Sequence, residues 1–453
     1  MKRIAVLSAV LLLAAGLLAF AGGRQSGGQS SITGPDGKVH ITYSMWGTTD
    51  ELRNAQNTAE EFNNSQNRIV MSPELIPHET YETVLRTRAT AGMLPDAGAL
   101  IEQSVASFAE SGLLADVSSM FTDPNDMPLD SLAFKDKNGN VIAYSMANEI
   151  LVVFYNRDMF DKAGIPYPPV NVANAWTWDQ FVDVAKKLTF DTSGRTPNDA
   201  GFDKNNIKQY GAMVENLTWQ LEVWALSNGS GFYNKAGTEV TVDNPAAIEA
   251  IQKVADLYLV HNVAPFSPGL MDDGVQRSLI AGNVAMTTNG AWNVGTCLST
   301  ARDENGLNYG VAVLPYMKEK VTINTGGTRA VFKGPKVEAA IEYVKWNTSV
   351  DRAWNNIRLG IWMPTKMRYY TDEKYTREWV MNPAYPPYDE FKPAVVDFAR
   401  DFARPTAWYY VPNTNAFNAL LQSVLGEVWT GAKSARDAIN QNIAALRNAH
   451  AGR

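Results

Sequence analysis

Side chains that break covalent bonds have no usable spacing in this chain. The four histidines, His40, His78, His261 and His450, stand singly, with no His-Glu-x-x-His pair for zinc and no Gly-x-Ser-x-Gly elbow for a nucleophile. Carboxylates are plentiful, 47 Asp and Glu in 453 residues. A secreted glycoside hydrolase needs two of them about 5 to 9.5 Å apart, yet no string sets out an acid/base pair. That enzyme is the alternative against which any binding role is weighed. The aromatic content points elsewhere: 12 tryptophans and 18 tyrosines suit the apolar C–H faces of carbohydrates, whose hydroxyls side-chain amides and carboxylates can take. Asp191 to Asn206 has the composition of a calcium loop but lacks the central Gly and distal Glu in register, so neither a metal nor a cofactor is expected.

These residues must be positioned by α/β elements. Val39, Ile41 and Tyr43 alternate with polar residues in a strand that ends at Met45-Trp46-Gly47. A helix over Asp50 to Asn63, a strand over Arg68 to Ile76 and a helix over Tyr81 to Ala91 follow. Strand, helix, strand, helix implies parallel pairing, and such sheets bind ligands beyond the carboxyl ends of their strands. Trp46 and the loop after Asp96, with Glu102 and Gln103, lie at such ends. Thr177 with Gln180 reads as a capping box, and Asn244-Pro245 as the start of another helix. Gly282 ends the helical run of Val275, Leu279 and Ile280, Val284 to Thr287 reads as a buried strand, and Asn289-Gly290 as a turn that sets Trp292 at its mouth. Residue physics alone puts such a tryptophan in the core first and on a binding platform second.

Three strings change that order: Gly92-Met93-Leu94-Pro95-Asp96 with Phe108 to Leu114, Leu151 to Phe160 with Lys162 to Ile165 and Thr177 to Phe181, and Gly282 to Trp292. Together the chain from about Ile41 onward resembles the extracellular solute-binding proteins of bacterial ABC importers, the sugar-binding group. The resemblance implies a two-lobed α/β fold, a periplasmic-binding-protein-like architecture with a hinge of several crossings. It also implies a carbohydrate ligand held between the lobes, and permease subunits as membrane partners. Residues 39–148 and 288–345 would form the N-terminal lobe, and 149–287 and 346–453 the C-terminal one. Segments after residue 215 and around Arg404 to Phe417 would carry cleft contacts. Trp219 and Trp224, five apart, would face differently on one helix, so only one reaches the cleft. The expected ligand-binding set is Trp46, Asp50, Glu102, Gln103, Glu215, Trp219, Asn289, Trp292, Thr328 and Trp408. Thr325 to Arg329 lacks the ending of a phosphate-binding loop and reads as a tight cleft-lining turn whose amides can bond hydroxyls.

Lys2-Arg3, the apolar run to Phe20 and Ala19-Phe20-Ala21 have the parts of a secretory signal peptide, 1–21, followed by a flexible linker, 22–38. The chain's one cysteine, Cys297, is far from that site, so an unlipidated, soluble, exported monomer is expected, with Cys297 a buried apolar residue. Loss of Lys2 and Arg3 takes the formal charge from −7 to −9, which argues against nucleic acid as a partner.

Overall fold

Alternating helix-period and strand-period runs build two sheets. The computed structural model describes residues 32–46, 49–77, 80–265, 275–349, 352, 357, 362–411 and 413–453. The expected signal peptide and residues 22–31 of the linker lie outside the described residues, as do Gly47 and His78. The strands are β1 (Val39–Met45), β2 (Ile69–Leu75), β3 (Ala97–Leu100), β4 (Ala133–Lys135), β5 (Val141–Ser145), β6 (Glu149–Asn156), β7 (Phe190–Asp191), β8 (Ile207–Val214), β9 (Val284–Gly290), β10 (Tyr309–Ala312), β11 (Thr322–Thr325), β12 (Thr328–Val331) and β13 (Ala403–Pro405). The helices that matter here are α1 (Thr49–Ser65), α2 (Tyr81–Thr90), α3 (Glu102–Glu110), α4 (Arg157–Ala163), α5 (Trp178–Leu188), α6 (Thr218–Ser227), α7 (Pro245–Leu259), α8 (Ser299–Asn305) and α9 (Val337–Asn347).

The first sheet runs β2-β1-β3-β12-β5-β4. Its β1, β2 and β3 are parallel, as the strand-helix alternation requires, and β12, β5 and β4 complete it antiparallel. One core, with Ile41, Tyr43, Phe62 and Tyr343, covers one face, and another, with Leu85, Ala99, Phe108 and Phe332, covers the other. The second sheet runs β13-β11-β6-β9-β8-β7, with β10 also on β6. Six apolar or aromatic residues, Ile150 to Tyr155, make β6 its buried centre. The Thr177/Gln180 capping box opens α5, and Asn244 caps α7 with Pro245 at its first position.

Two local expectations change. Asn289 and Gly290 are not a turn; they end β9, opposite Val152 and Leu151. Glycine is needed at 290 for another reason: a Cβ there would fall 1.7 Å from the Trp292 ring, so the indole lies directly on the glycine Cα. The strand expected in the first lobe at Tyr309 joins the second sheet, because β10 and β11 both pair with β6. The later chain rejoins the first sheet only at Thr328, opposite Leu100 and Ser145.

Among the described strands, three connections lead from one sheet to the other. Residues 146–148 link β5 to β6, and Gly326-Gly327 links β11 to β12 beside them, with Met146 N–H donating to Gly327 O at 2.9 Å and Ala147 N–H to Gly326 O at 3.2 Å. Gly326 holds φ +151° and Gly327 φ +48°. A Cβ on Gly326 would stand 2.3 Å from the Ala147 carbonyl oxygen, so the two crossings approach closely only because the residue is glycine. The third leads from α9 to β13 and brings Met363 beside the first, where Asn148 N–H donates to Met363 O at 3.2 Å, and Thr365 beside Leu129, whose N–H donates to Thr365 O at 3.0 Å.

Candidate functional site

A cleft of about 390 Å³ opens at these crossings. Its walls carry Trp46, Trp219, Trp292, Trp362 and Trp408, with Glu102, Met146, Glu149, Thr325, Gly326 and Gly327 around them. Trp46 stands at the carboxyl end of β1, edge-on to Tyr81 at 4.9 Å between ring centres. Trp219 is in the first turn of α6, tilted 33° to Trp292 at 6.3 Å and edge-on to Trp408 at 5.2 Å. Trp292 follows β9. Trp408 belongs to the short turn Ala407–Tyr409, whose neighbouring residues serve different cores: Trp408 packs with the second lobe, while Tyr409 stacks on Phe134 of the first at 4.1 Å. That turn therefore stitches the lobes while presenting an indole to the space between them.

Trp224 points away. It is 2% exposed and packs edge-on against Trp178 in the core, as the rotation of five residues along a helix dictates.

The polar candidates fare differently. Glu102, at the start of α3, is 8% exposed, and its Oε1 accepts from Thr325 Oγ1 at 3.1 Å, Gly326 N–H at 3.1 Å and Gly327 N–H at 2.6 Å. The amides expected to bond sugar hydroxyls are thus already taken by a carboxylate from the same cleft wall. Glu215 is 1% exposed and accepts from Asn289 Nδ2. Asn289 Oδ1 in turn accepts from Gly290 N–H and, at 3.0 Å, from Asn293 Nδ2. This buried network lies outside the cleft lining and braces the end of β9, which carries Trp292. Thr328 is fully buried in β12, and Gln103, in the first turn of α3, is not on the lining. Asp50 begins α1, but its side chain lies outside what the structure describes.

Four lining residues, Met146, Ala147, Glu149 and Trp362, were not singled out from sequence, and the last two bear most on the site. Trp362 comes with the third crossing, next to Met363-Pro364, a tryptophan before an X-Pro stop that could have flagged a chain crossing. Glu149 opens β6 and is 5% exposed. Its Oε1 accepts from Met363 N–H at 3.2 Å, and its Oε2 is buried with no hydrogen-bond partner. Burial pushes its carboxyl up to about 8, against a smaller lowering by the Met363 bond. At neutral pH it is therefore held largely as the neutral acid.

No group of three or more potential metal ligands occurs among the described residues. Asp191, the obvious candidate, is spent within its own loop: it accepts from Ser193 N–H, Arg195 N–H, Arg195 Nε and Asp203 N–H. No helix among the described residues is long and apolar enough to cross a membrane.

Comparison with known proteins gives a consistent picture. A family model described as bacterial extracellular solute-binding protein matches residues 47–351. The arabinooligosaccharide-binding protein of Halalkalibacterium halodurans is 26% identical over 157 residues, 34% of this chain and 31% of that protein. The sn-glycerol-3-phosphate-binding periplasmic protein of Pectobacterium atrosepticum is 24% identical over 241 residues, 52% of this chain and 47% of that protein. The matches thus span less than half of the length of each of these curated relatives. In three dimensions it is similar to the cyclic alpha-maltosyl-1,6-maltose binding protein from Arthrobacter globiformis, with a TM-score of 0.74 at 21% identity over 92% of this chain and 100% of that one. At that identity the likeness speaks to the fold, two lobes around a cleft.

Proposed function

This chain belongs to the bacterial extracellular solute-binding proteins, and we propose that it is the receptor of an ABC importer, capturing a carbohydrate between its lobes and delivering it to a membrane permease. The observation that carries the reading is the convergence of five indoles on one cleft. They come from the β1 end of the first lobe, from α6, the β9 end and the Ala407–Tyr409 turn of the second, and from the third crossing. A ring with apolar faces can be sandwiched by such a set, each face meeting a different lobe. Contacts to both lobes form only when the lobes close, so ligand binding favours closure by that difference. The lobes are proposed to divide at residues 146–148, 326–327 and the third crossing, and the protein to act as an exported monomer.

Glycoside hydrolysis gains no support from the two cleft carboxylates. Glu102 is engaged by three donors of a crossing, and Glu149 is anchored to Met363 N–H on another.

The purified protein should melt at a higher temperature with one member of a carbohydrate panel, since a ligand binding only the native state raises stability by RT ln(1 + [L]/Kd). Chromatography after prolonged incubation should recover that sugar unaltered. Release of a hydrolysed product that disappears on replacing Glu102 or Glu149 would establish the enzyme instead.

Trp292 tests the cleft itself. Replacing it with alanine should cost about 1 to 3 kcal/mol of binding, the scale of burying one large side chain, with little change in the unliganded melting temperature. A purely structural tryptophan would do the reverse, costing roughly 3 to 5 kcal/mol of folding stability. Calorimetric affinity and unliganded melting, measured on the same variant, separate the two.

A further inference from the structure

A second cavity of about 230 Å³ adjoins the cleft and shares Trp46, Met146 and Trp362 with its lining. Its far side carries Arg329 with Tyr43, Asn54, Thr58 and Asn347. Arg329 projects from β12, between Ala99 of β3 and Tyr144 of β5. Its Nε donates to Tyr43 Oη at 3.2 Å, and its guanidinium carbon stands 5.9 Å from the centre of the Tyr144 ring. No carboxylate among the described residues forms an ion pair with it. Lys366, which borders the adjoining small cavity together with Arg329, adds a second cation, tied to Asp126 at 3.9 Å.

A guanidinium is always charged and presents five donors in a planar fork. Here a phenol takes one of them, while neighbouring amides and hydroxyls cannot supply countercharge. Arg329 is only partly buried, so it remains charged and open to an incoming anion, and a carboxylate or phosphate can offer it the charge-assisted pair that it lacks. The main cleft offers no cation among its described lining residues: its titratable groups there are Glu102, held by three donors of a crossing, and Glu149, largely the neutral acid. An anionic group would find no countercharge among the described residues of the main cleft and would find Arg329 in the adjoining cavity.

We propose that this side cavity is an oxyanion subsite, in which Arg329 binds the carboxylate or phosphate of an acidic carbohydrate whose ring lies among the cleft tryptophans. The proposal rests on the receptor reading above and narrows its ligand class. Carboxylate and phosphate share the bidentate geometry that Arg recognises.

The test compares, by calorimetry on the whole protein, a neutral oligosaccharide, its uronate counterpart and the corresponding sugar phosphate, with Arg329→Gln and Arg329→Lys alongside. One acidic member should bind about tenfold or more tighter than the neutral one, the scale of one charge-assisted hydrogen-bonded contact, and which of the two acids wins identifies the anion. Arg329→Gln should abolish that ratio, and Arg329→Lys should retain part of it. Equal or tighter binding of the neutral sugar overturns the subsite while leaving the receptor reading intact, and this comparison needs only the unaltered protein. A ratio unchanged in Arg329→Gln overturns it also. If no carbohydrate binds but glycerol phosphate does, with the same dependence on Arg329, the carbohydrate reading falls and the oxyanion subsite stands.

Discussion

At pH 8 the Glu149→Gln protein is expected to be more stable than the parent, and at pH 5 the two should nearly coincide. Burial holds the Glu149 carboxyl near 8, against an ordinary value of 4.5. Below 4.5 the group is protonated in both folded and unfolded chains and favours neither. Between 4.5 and 8 the unfolded chain releases the proton while the folded chain keeps it, so stability falls as pH rises through that window. The full loss is on the order of 5 kcal/mol, at 1.36 kcal/mol for each pKa unit. Glutamine keeps an acceptor for Met363 N–H and removes the titration. Glu222, buried in α6 and pushed up to about 7, adds a loss of the same sign between 4.5 and 7, which Glu149→Gln leaves in place. Denaturant unfolding of parent and variant at pH 5, 6.5 and 8 measures the effect. Parallel pH profiles for the two proteins would show that Glu149 is ionised within the fold and hydrated.

Glu149 also marks where sequence patterning stops. A polar residue just before six apolar ones reads as the solvated lead-in of a strand, and nothing local reveals that the third crossing will cover it. Trp362 escaped for the same reason, since its place is set by a long return of the chain and by no periodicity of its own. What local chemistry dictates was legible: the capping box at Thr177, the alternation of β1, the helix rotation that separates Trp219 from Trp224, and the rule placing Trp46 beyond a strand's carboxyl end. Strand partners were not. The apolar run at Tyr309 specifies a buried strand equally well in either sheet, and only its pairing with β6 decides the lobe. Asn289-Gly290 misled because the dipeptide's turn propensity is real, but here a glycine serves the close packing of an indole and an asparagine serves Glu215.

Glu102 is the second case where position was legible and role was not, and it yields the other large effect. As a ligand contact, its loss would lower affinity and leave the unliganded protein as stable as before. In the structure its Oε1 gathers the hydroxyl of Thr325 and the amides of Gly326 and Gly327, more than 200 residues away in sequence. Those amides belong to the crossing between β11 and β12, where Gly326 already occupies a conformation that L side chains rarely adopt. Glu102→Ala should therefore lower the unliganded unfolding free energy by about 3 to 5 kcal/mol, since hydrogen bonds to a charged acceptor contribute about 1.5 to 3 kcal/mol each and do not add fully. Glu102→Gln, which keeps one acceptor oxygen without the charge, should lose about half as much. The order Ala worse than Gln worse than parent, in the absence of any ligand, is the signature of a carboxylate that fixes the crossing. Unliganded melting curves that superimpose for all three proteins would return Glu102 to the ligand, and with it the amides of Gly326 and Gly327.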